Sequence, residues 1–234
     1  MNEEKMKKGP EENAGRFSPK AAILDMDGLM LDTEGPTVEC WLEICREFGL
    51  PVSRDTVIRA IGINEPATRA LFLGEYGRNF PFDEIYREVI GLMKRRMDRE
   101  GIRHRPGLSA FLDCLAERGI PFAVATSTGR ETALWKLEKA GLRGRFPLMV
   151  CGDEVKNGKP APDIFLAAAA RLGVNPADCA GFEDSGPGLL GLAAAGIRSV
   201  FIRDIPEPSP EALAGVWRRC GDLAEAREIF ISPS

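Results

Sequence analysis

Asp25 and Asp27 stand one residue apart in the stretch AAILDMDGLMLDTEG, straight after four apolar residues. A buried strand that ends in two carboxylates and a glycine offers acid groups at a fixed edge. Three further segments carry polar groups of complementary kinds. FAVAT ends in Thr126 and continues as Ser127-Thr128-Gly129, NGKPAPD carries Lys159, and AGFED ends in Glu183-Asp184 and continues as Ser185-Gly186. Singly, each has an ordinary reading. An aspartate after a strand forms turns, Thr126 and Ser127 suit a helix cap, and a lysine is usually a surface charge. Together they gather four carboxylates (Asp25, Asp27, Glu183 and Asp184), several hydroxyls and one lysine. Carboxylates so crowded repel one another, which is tolerable mainly when a cation such as Mg²⁺ sits among them.

The elements that bring these segments together follow from periodicity. A strand spans about Ala21 to Met26, and no strand pattern interrupts residues 36–100. Four helices fill that stretch. The first starts near Pro36 and stops at Gly49; the second runs from a Ser53 cap through Ile61. The third covers about Pro66 to Tyr76 and the fourth about Asp83 to Arg99. The pattern then alternates: helix PGLSAFLDCLAERG, strand IPFAVAT, helix GRETALWKLEKAG, strand PLMVCG. It continues with helix PDIFLAAAARLG, strand CAGFED, helix GPGLLGLAAAG and strand IRSVFI. Alternation of this kind predicts an α/β fold, a doubly wound parallel sheet covered on both faces, with a four-helix cap inserted after the first strand. The expected division is a disordered tail over 1–19, a core over 20–34 and 104–234, and a cap over 35–103. Ligands of an open parallel sheet bind beyond the carboxyl ends of its strands, where the polar segments fall.

The 234 residues carry a net charge of −4 and a pI near 5.3, which argues against a nucleic-acid-binding surface. An acidic chain binds an anion only through a local cluster or a metal. Six scattered cysteines without a Cys-x-x-Cys pair read as reduced thiols of a cytoplasmic protein. The first twenty residues lack an apolar run, and Leu189 to Ile197 is too short to span a bilayer. No membrane or nucleic-acid partner is expected, and a monomer is the default.

The order Asp-x-Asp-Gly, ATST, GKPAPDIF, GFEDSGPG, from about Ala21 to Ile202, resembles the haloacid dehalogenase superfamily. The likeness is to its branch of helical-cap phosphatases and phosphomutases. The resemblance implies that Asp25 attacks phosphorus and becomes an aspartyl phosphate. Asp27 is then the acid for the leaving oxygen and the base for water, and this second aspartate points to phosphoryl transfer. Thr126 and Lys159 would hold phosphoryl oxygens, with Ser127 beside them. Mg²⁺ would bind Asp25, the Asp27 backbone carbonyl and Asp184, with Glu183 either a direct ligand or acting through water. By position, Gly62-Ile63-Asn64-Glu65 is the expected specificity loop over a small phosphorylated metabolite.

Two alternatives are weighed. The mutase resemblance includes a cap histidine and a cap arginine where this chain has Thr37 and Glu65, which favours hydrolysis. Glu65 would repel a second phosphate. GPGLLG, Gly186 to Gly191, has the form of a dinucleotide-binding turn, with Asp204 ending the next strand. Glu183 and Asp184 immediately before it would repel a pyrophosphate, so close packing of a small-residue helix is the preferred reading. His104, at the second join, reads as structural, and Lys94-Arg95-Arg96 as a solvated face.

Overall fold

The computed structural model describes residues 17–231. Six parallel strands form one sheet: β1 (Ala21–Leu24), β2 (Phe122–Thr126), β3 (Met149–Cys151), β4 (Cys179–Glu183), β5 (Arg198–Ile202) and β6 (Arg218–Cys220). Their order is β3-β2-β1-β4-β5-β6, so the connection reverses beside β1. That reversal opens a crevice at the carboxyl ends. Side chains alternate across the sheet as a two-residue period requires. Ala22 and Leu24 enter a core with α5 (Leu108–Glu117), α6 (Arg130–Lys139), α10 (Leu223–Ala226) and α11 (Glu228–Ile231). Ala21 and Ile23 face α7 (Asp163–Leu172) and α8 (Gly186–Ala194) on the other side. Against β5, α8 also packs with α9 (Pro210–Ala214).

β6 is absent from the sequence reading. It is a three-residue edge strand, Arg218-Arg219-Cys220, without apolar alternation, and it joins only by backbone pairing with β5.

Between β1 and α5 lie α1 (Glu34–Glu47), α2 (Arg54–Arg59), α3 (Glu65–Tyr76) and α4 (Phe82–Glu100). They enclose a separate apolar core around Trp41, Phe72, Phe82, Ile85 and Met93, with Trp41 and Phe72 rings 4.6 Å apart. Ser53 and Asn64 cap α2 and α3 by accepting from Thr56 and Ala67 N–H groups, both at 3.1 Å. α1 starts at Glu34, two residues before the expected Pro36. Proline is tolerated there because first-turn N–H groups have no partner inside the helix. α2 ends two residues before Ile61, which frees Ile61 to Asn64 to form the loop above the sheet.

The two joins of this insertion are tied to each other. Asp32 N–H donates to the Arg103 carbonyl at 3.0 Å, and Arg105 N–H to Met30 at 2.8 Å. His104 Nε2 lies 2.8 Å from the Ala140 carbonyl, a structural contact. The basic run is less solvated than expected. Lys94 lies 5.9 Å from the Trp135 ring centre and 3.9 Å from Glu131 on α6, and Arg96 pairs with Glu43.

The tail expected over 1–19 needs correction at its end. Phe17 packs edge-on against Trp217 at 5.1 Å, with the Arg198 guanidinium over its ring at 4.0 Å, and Pro19 is buried. Residues 17–19 therefore belong to the core, while 1–16 lie outside the described residues. Among the described residues no helix is long and apolar enough to cross a membrane.

Candidate active site

The chain leaves β geometry after Leu24, earlier than the expected Met26. Asp25 N–H still donates to the Phe182 carbonyl at 3.1 Å, and then a turn closes through Gly28 N–H to Leu31 and Met30 N–H to Met26. Gly28 takes φ +82°, and a Cβ there would fall 2.3 Å from Asp184 Oδ2. The turn buries Met26 in the core and directs Asp25 and Asp27 to the same cavity. Strand alternation alone would have separated them.

Asp25 is buried, and its Oδ1 accepts from the Lys159 ammonium. Lys159 also donates to Glu183 Oε1 at 2.5 Å and lies 5.0 Å from the Phe165 ring centre. The other Glu183 oxygen accepts from Asp184 N–H, Ser185 N–H and Ser185 Oγ, at 3.0, 3.0 and 2.9 Å. Asp25, Glu183 and Asp184 present carboxylate oxygens within 4.8 Å of one another. Both Asp184 oxygens are buried and find no hydrogen-bond donor among the described residues. Burial pushes the Asp25 carboxyl up to about 7, with Glu183 adding to the rise and Lys159 opposing it. Burial, then the charges of Glu183 and Asp25, raises Asp184 well above the usual range. An orphaned, buried carboxylate beside two others is the donor set a hard divalent cation takes. These residues therefore fit the expected ion.

Asp27 has a different neighbourhood. Its Oδ1 accepts from Thr33 Oγ1 and from the Lys136 ammonium, both at 2.5 Å, and its Oδ2 from Thr128 Oγ1 at 2.7 Å. Burial would raise this carboxyl, but Lys136 and the hydroxyl donors outweigh it and hold Asp27 below the usual range. Nearby Glu34 is half-buried in the cavity wall. Desolvation and the Asp27 charge push it up to about 8.

The loop Gly62-Ile63-Asn64 roofs a cavity of about 520 Å³ whose floor includes Asp25, Asp27, Thr126, Ser127 and Asp184. Ser127 Oγ donates to the Gly62 carbonyl at 2.9 Å, joining floor to roof. A Cβ on Gly62 would lie 2.5 Å from Ser185 Oγ, and one on Gly158 would lie 2.3 Å from Asn64 Nδ2. Thr126 Oγ1 accepts from Thr128 N–H at 3.1 Å. Lys159 and Glu183 do not line the cavity; they sit behind Asp25.

Lys136, Thr33 and Glu34 are missing from the candidate site of the sequence reading, and Thr128 enters it only as one of the hydroxyls after the strand. The legible signal was Lys136 itself, standing with Ala133 and Leu137 on the buried stripe of α6 where an apolar residue belongs. Asp204, weighed as a ribose-binding acid, instead pairs with Arg105 at 2.9 Å. The glycine turn is closed to a pyrophosphate as well. A Cβ on Gly188 would fall 1.9 Å from Glu183 Oε1, so the start of α8 is filled by the protein's own carboxylate, and Gly191 packs on Phe165.

Residues 19–196 match the model of the haloacid dehalogenase-like hydrolases. Over 187 residues the chain is 34% identical to a phosphorylated carbohydrates phosphatase of Thermotoga maritima, covering 78% of this chain and 84% of the relative. It is 29% identical over 190 residues to a beta-phosphoglucomutase of Bacillus subtilis, covering 78% and 83%. A hydrolase from Pseudomonas syringae superposes with a TM-score of 0.77 at 24% identity, over 89% and 96% of the two chains, a likeness of fold. With the strand order and the insertion after β1, these matches decide the family: the chain belongs to the haloacid dehalogenase-like hydrolases and is a phosphoric monoester hydrolase.

Proposed function

We propose that the protein hydrolyses small phosphorylated metabolites, sugar phosphates or nucleotide-like monophosphates, through a phosphorylated Asp25 and with Mg²⁺. The observation that carries this reading is the pairing of each aspartate with its own lysine beside an orphaned Asp184. Lys159 holds Asp25 by Oδ1, which leaves Oδ2 to attack phosphorus. Lys159 itself is fully buried behind Asp25 and outside the cavity lining, so its part is to compensate the charges of Asp25 and Glu183 rather than to meet the phosphoryl group. Thr126 and Ser127 line the cavity beside Asp25 and are the hydroxyls left to hold the phosphoryl oxygens. Asp27 is held ionised in the free protein by Lys136 and its hydroxyl donors. It takes a proton from the monoanionic form of the phosphate ester and gives it to the leaving oxygen as the ester P–O bond breaks. It later takes one from the water that attacks phosphorus and frees Asp25.

Asp25, the Asp27 carbonyl and Asp184 would hold Mg²⁺. The ion supplies the positive charge that lets a carboxylate approach a phosphate. Two unit charges about 4 Å apart otherwise repel by roughly 4 kcal/mol at an intermediate dielectric. Glu183 stands behind these ligands, with Oε2 filled by Ser185 Oγ and the 184–185 backbone N–H groups and Oε1 accepting from Lys159, and would act on the ion through water.

Hydrolysis is favoured over a mutase because the roof offers no second-phosphate anchor. Among the described residues Lys136 is the single cation that lines the cavity, and Asp27 neutralises it. Arg69 pairs with Asp83 and stacks on Phe82 away from the cavity, while Glu65 lines it. The cytoplasmic, monomeric state belongs to the same reading, and the six free thiols are compatible with a reducing compartment.

The test is phosphate release from sugar phosphates and nucleoside monophosphates with Mg²⁺ and with chelator. Release requires Mg²⁺, Asp25→Asn abolishes it, and Asp27→Asn lowers it by ~10²- to 10⁴-fold on poor leaving groups. Interconversion of β-glucose 1-phosphate and glucose 6-phosphate faster than phosphate release would establish a mutase instead.

A further inference from the structure

Two buried lysines serve this site, and the function described above uses only Lys159. Lys136 reaches from the middle of α6, with a side chain 7% exposed, and its partner is Asp27 across 109 positions of sequence. A buried ion pair is poor economy for stability alone, because the desolvation of two charges offsets their attraction. The neighbouring residues of the same stripe, Ala133 and Leu137, are packed into the sheet core, whereas Lys136 lines the cavity. Its place is therefore decided by Asp27 and not by the core.

The pattern of bonds is uneven. A carboxylate oxygen has two acceptor positions. On Asp27, Oδ1 has both filled, by Lys136 and Thr33, while Oδ2 has one filled, by Thr128. We propose that Lys136 is a positioning residue that, with Thr33, clamps Oδ1 of Asp27 so that Oδ2 is the oxygen that exchanges a proton with the leaving group and with water. The inference rests on the reading of Asp27 as the proton-transfer group. In the first half, the Oδ2–H proton passes to the ester oxygen as the P–O bond breaks. In the second, Oδ2 takes a proton from water as the Asp25–phosphorus bond breaks. Lys136 keeps its protons throughout and fixes which oxygen does the work.

A clamp matters most where proton transfer limits the rate. Steady-state kinetics with Mg²⁺ on an alkyl monophosphate and on p-nitrophenyl phosphate separate the roles of Lys136. Lys136→Met lowers kcat on the alkyl ester by about tenfold or more, a fraction of the ~10²- to 10⁴-fold worth of the acid–base group. On p-nitrophenyl phosphate, whose leaving group needs little protonation, the loss is several times smaller. KM changes little on either, and Lys136→Arg restores part of the alkyl-ester rate. Equal losses on both esters, or a rise in KM with kcat unchanged, would place Lys136 on the phosphoryl group and overturn the proposal. If Lys136→Met does not fold, Lys136→Gln is measured in its place. If neither neutral variant folds, Lys136 is a structural residue and the proposal falls. Asp27→Asn, run alongside, separates the two readings: full activity there removes the acid–base assignment itself, whereas an inactive Asp27→Asn with an unselective Lys136→Met removes only the clamp.

Discussion

At the scale of single residues, charge compensation explains most of the site. Asp25 and Asp27 each have a lysine, and Glu183 has donors on both oxygens, but Asp184 has none among the described residues. An unpaired buried carboxylate destabilises the fold that holds it. Asp184→Asn should therefore raise the melting temperature of the metal-free protein, by about 2–4 °C for each kcal/mol relieved in a chain of this size. The same variant should lose the thermal shift that Mg²⁺ gives the parent protein. A lower metal-free melting temperature, or an unchanged Mg²⁺ shift, would remove Asp184 as the principal ligand. Asp184 was legible because it follows a strand in a four-part order of motifs. Its lack of a protein partner was not, because that depends on side chains from distant segments.

At the scale of elements, the loop between α2 and α3 is the piece that closes the site. Gly62 sits at φ +82° under a contact with Ser185 that leaves no room for a Cβ, and its carbonyl takes the Ser127 hydrogen bond. A side chain in the left-handed region costs roughly 1–2 kcal/mol, and 1.4 kcal/mol is about tenfold in an equilibrium. Gly62→Ala should lower kcat/KM on sugar phosphates by about tenfold or more while leaving the melting temperature nearly unchanged, since an opened roof relieves the clash. Unchanged kcat/KM would mean that the closed arrangement of this loop is not needed for turnover. The helices flanking the loop could be read, α2 from its Ser53 cap and α3 from a start near Pro66. The loop's contact with the sheet edge could not, and neither could β6, whose charged side chains carry no strand signal.

For the whole molecule, the site makes stability depend on pH and metal together. Asp25, raised to about 7, Glu34, raised to about 8, and Asp184, raised in the same direction, bind more protons folded than unfolded in the neutral range. Where the folded state binds more protons, stability falls as pH rises. The metal-free protein should thus melt higher at about pH 5.5 than at about pH 8. Asp27 runs the other way, being held low: its contribution is present above the ordinary carboxylate pKa and is lost only in stronger acid. Saturating Mg²⁺ should raise the melting temperature most at the alkaline end and flatten the profile, because it replaces the missing protons. Scanning calorimetry at several pH values with and without Mg²⁺ checks this, and a metal-free profile that rises with pH would contradict it.

The sequence by itself determined the succession of elements from β1 to β5, the insertion after β1 and the identity of the residues at the strand ends. Those features are set by contiguous residues: apolar periodicity, caps, and glycine or proline at turns. Alternating strands and helices then leave few ways to wind a parallel sheet, so Asp25, Thr126 and Glu183 had to arrive at one edge. Tertiary structure decided which charges meet there. Lys136 reaches Asp27, Lys159 slips behind Asp25, and Ser127 bonds to Gly62 across 65 positions. Each depends on how a helix or loop is seated to within a hydrogen-bond length, and that seating is fixed by the packing of whole faces, which no local pattern encodes.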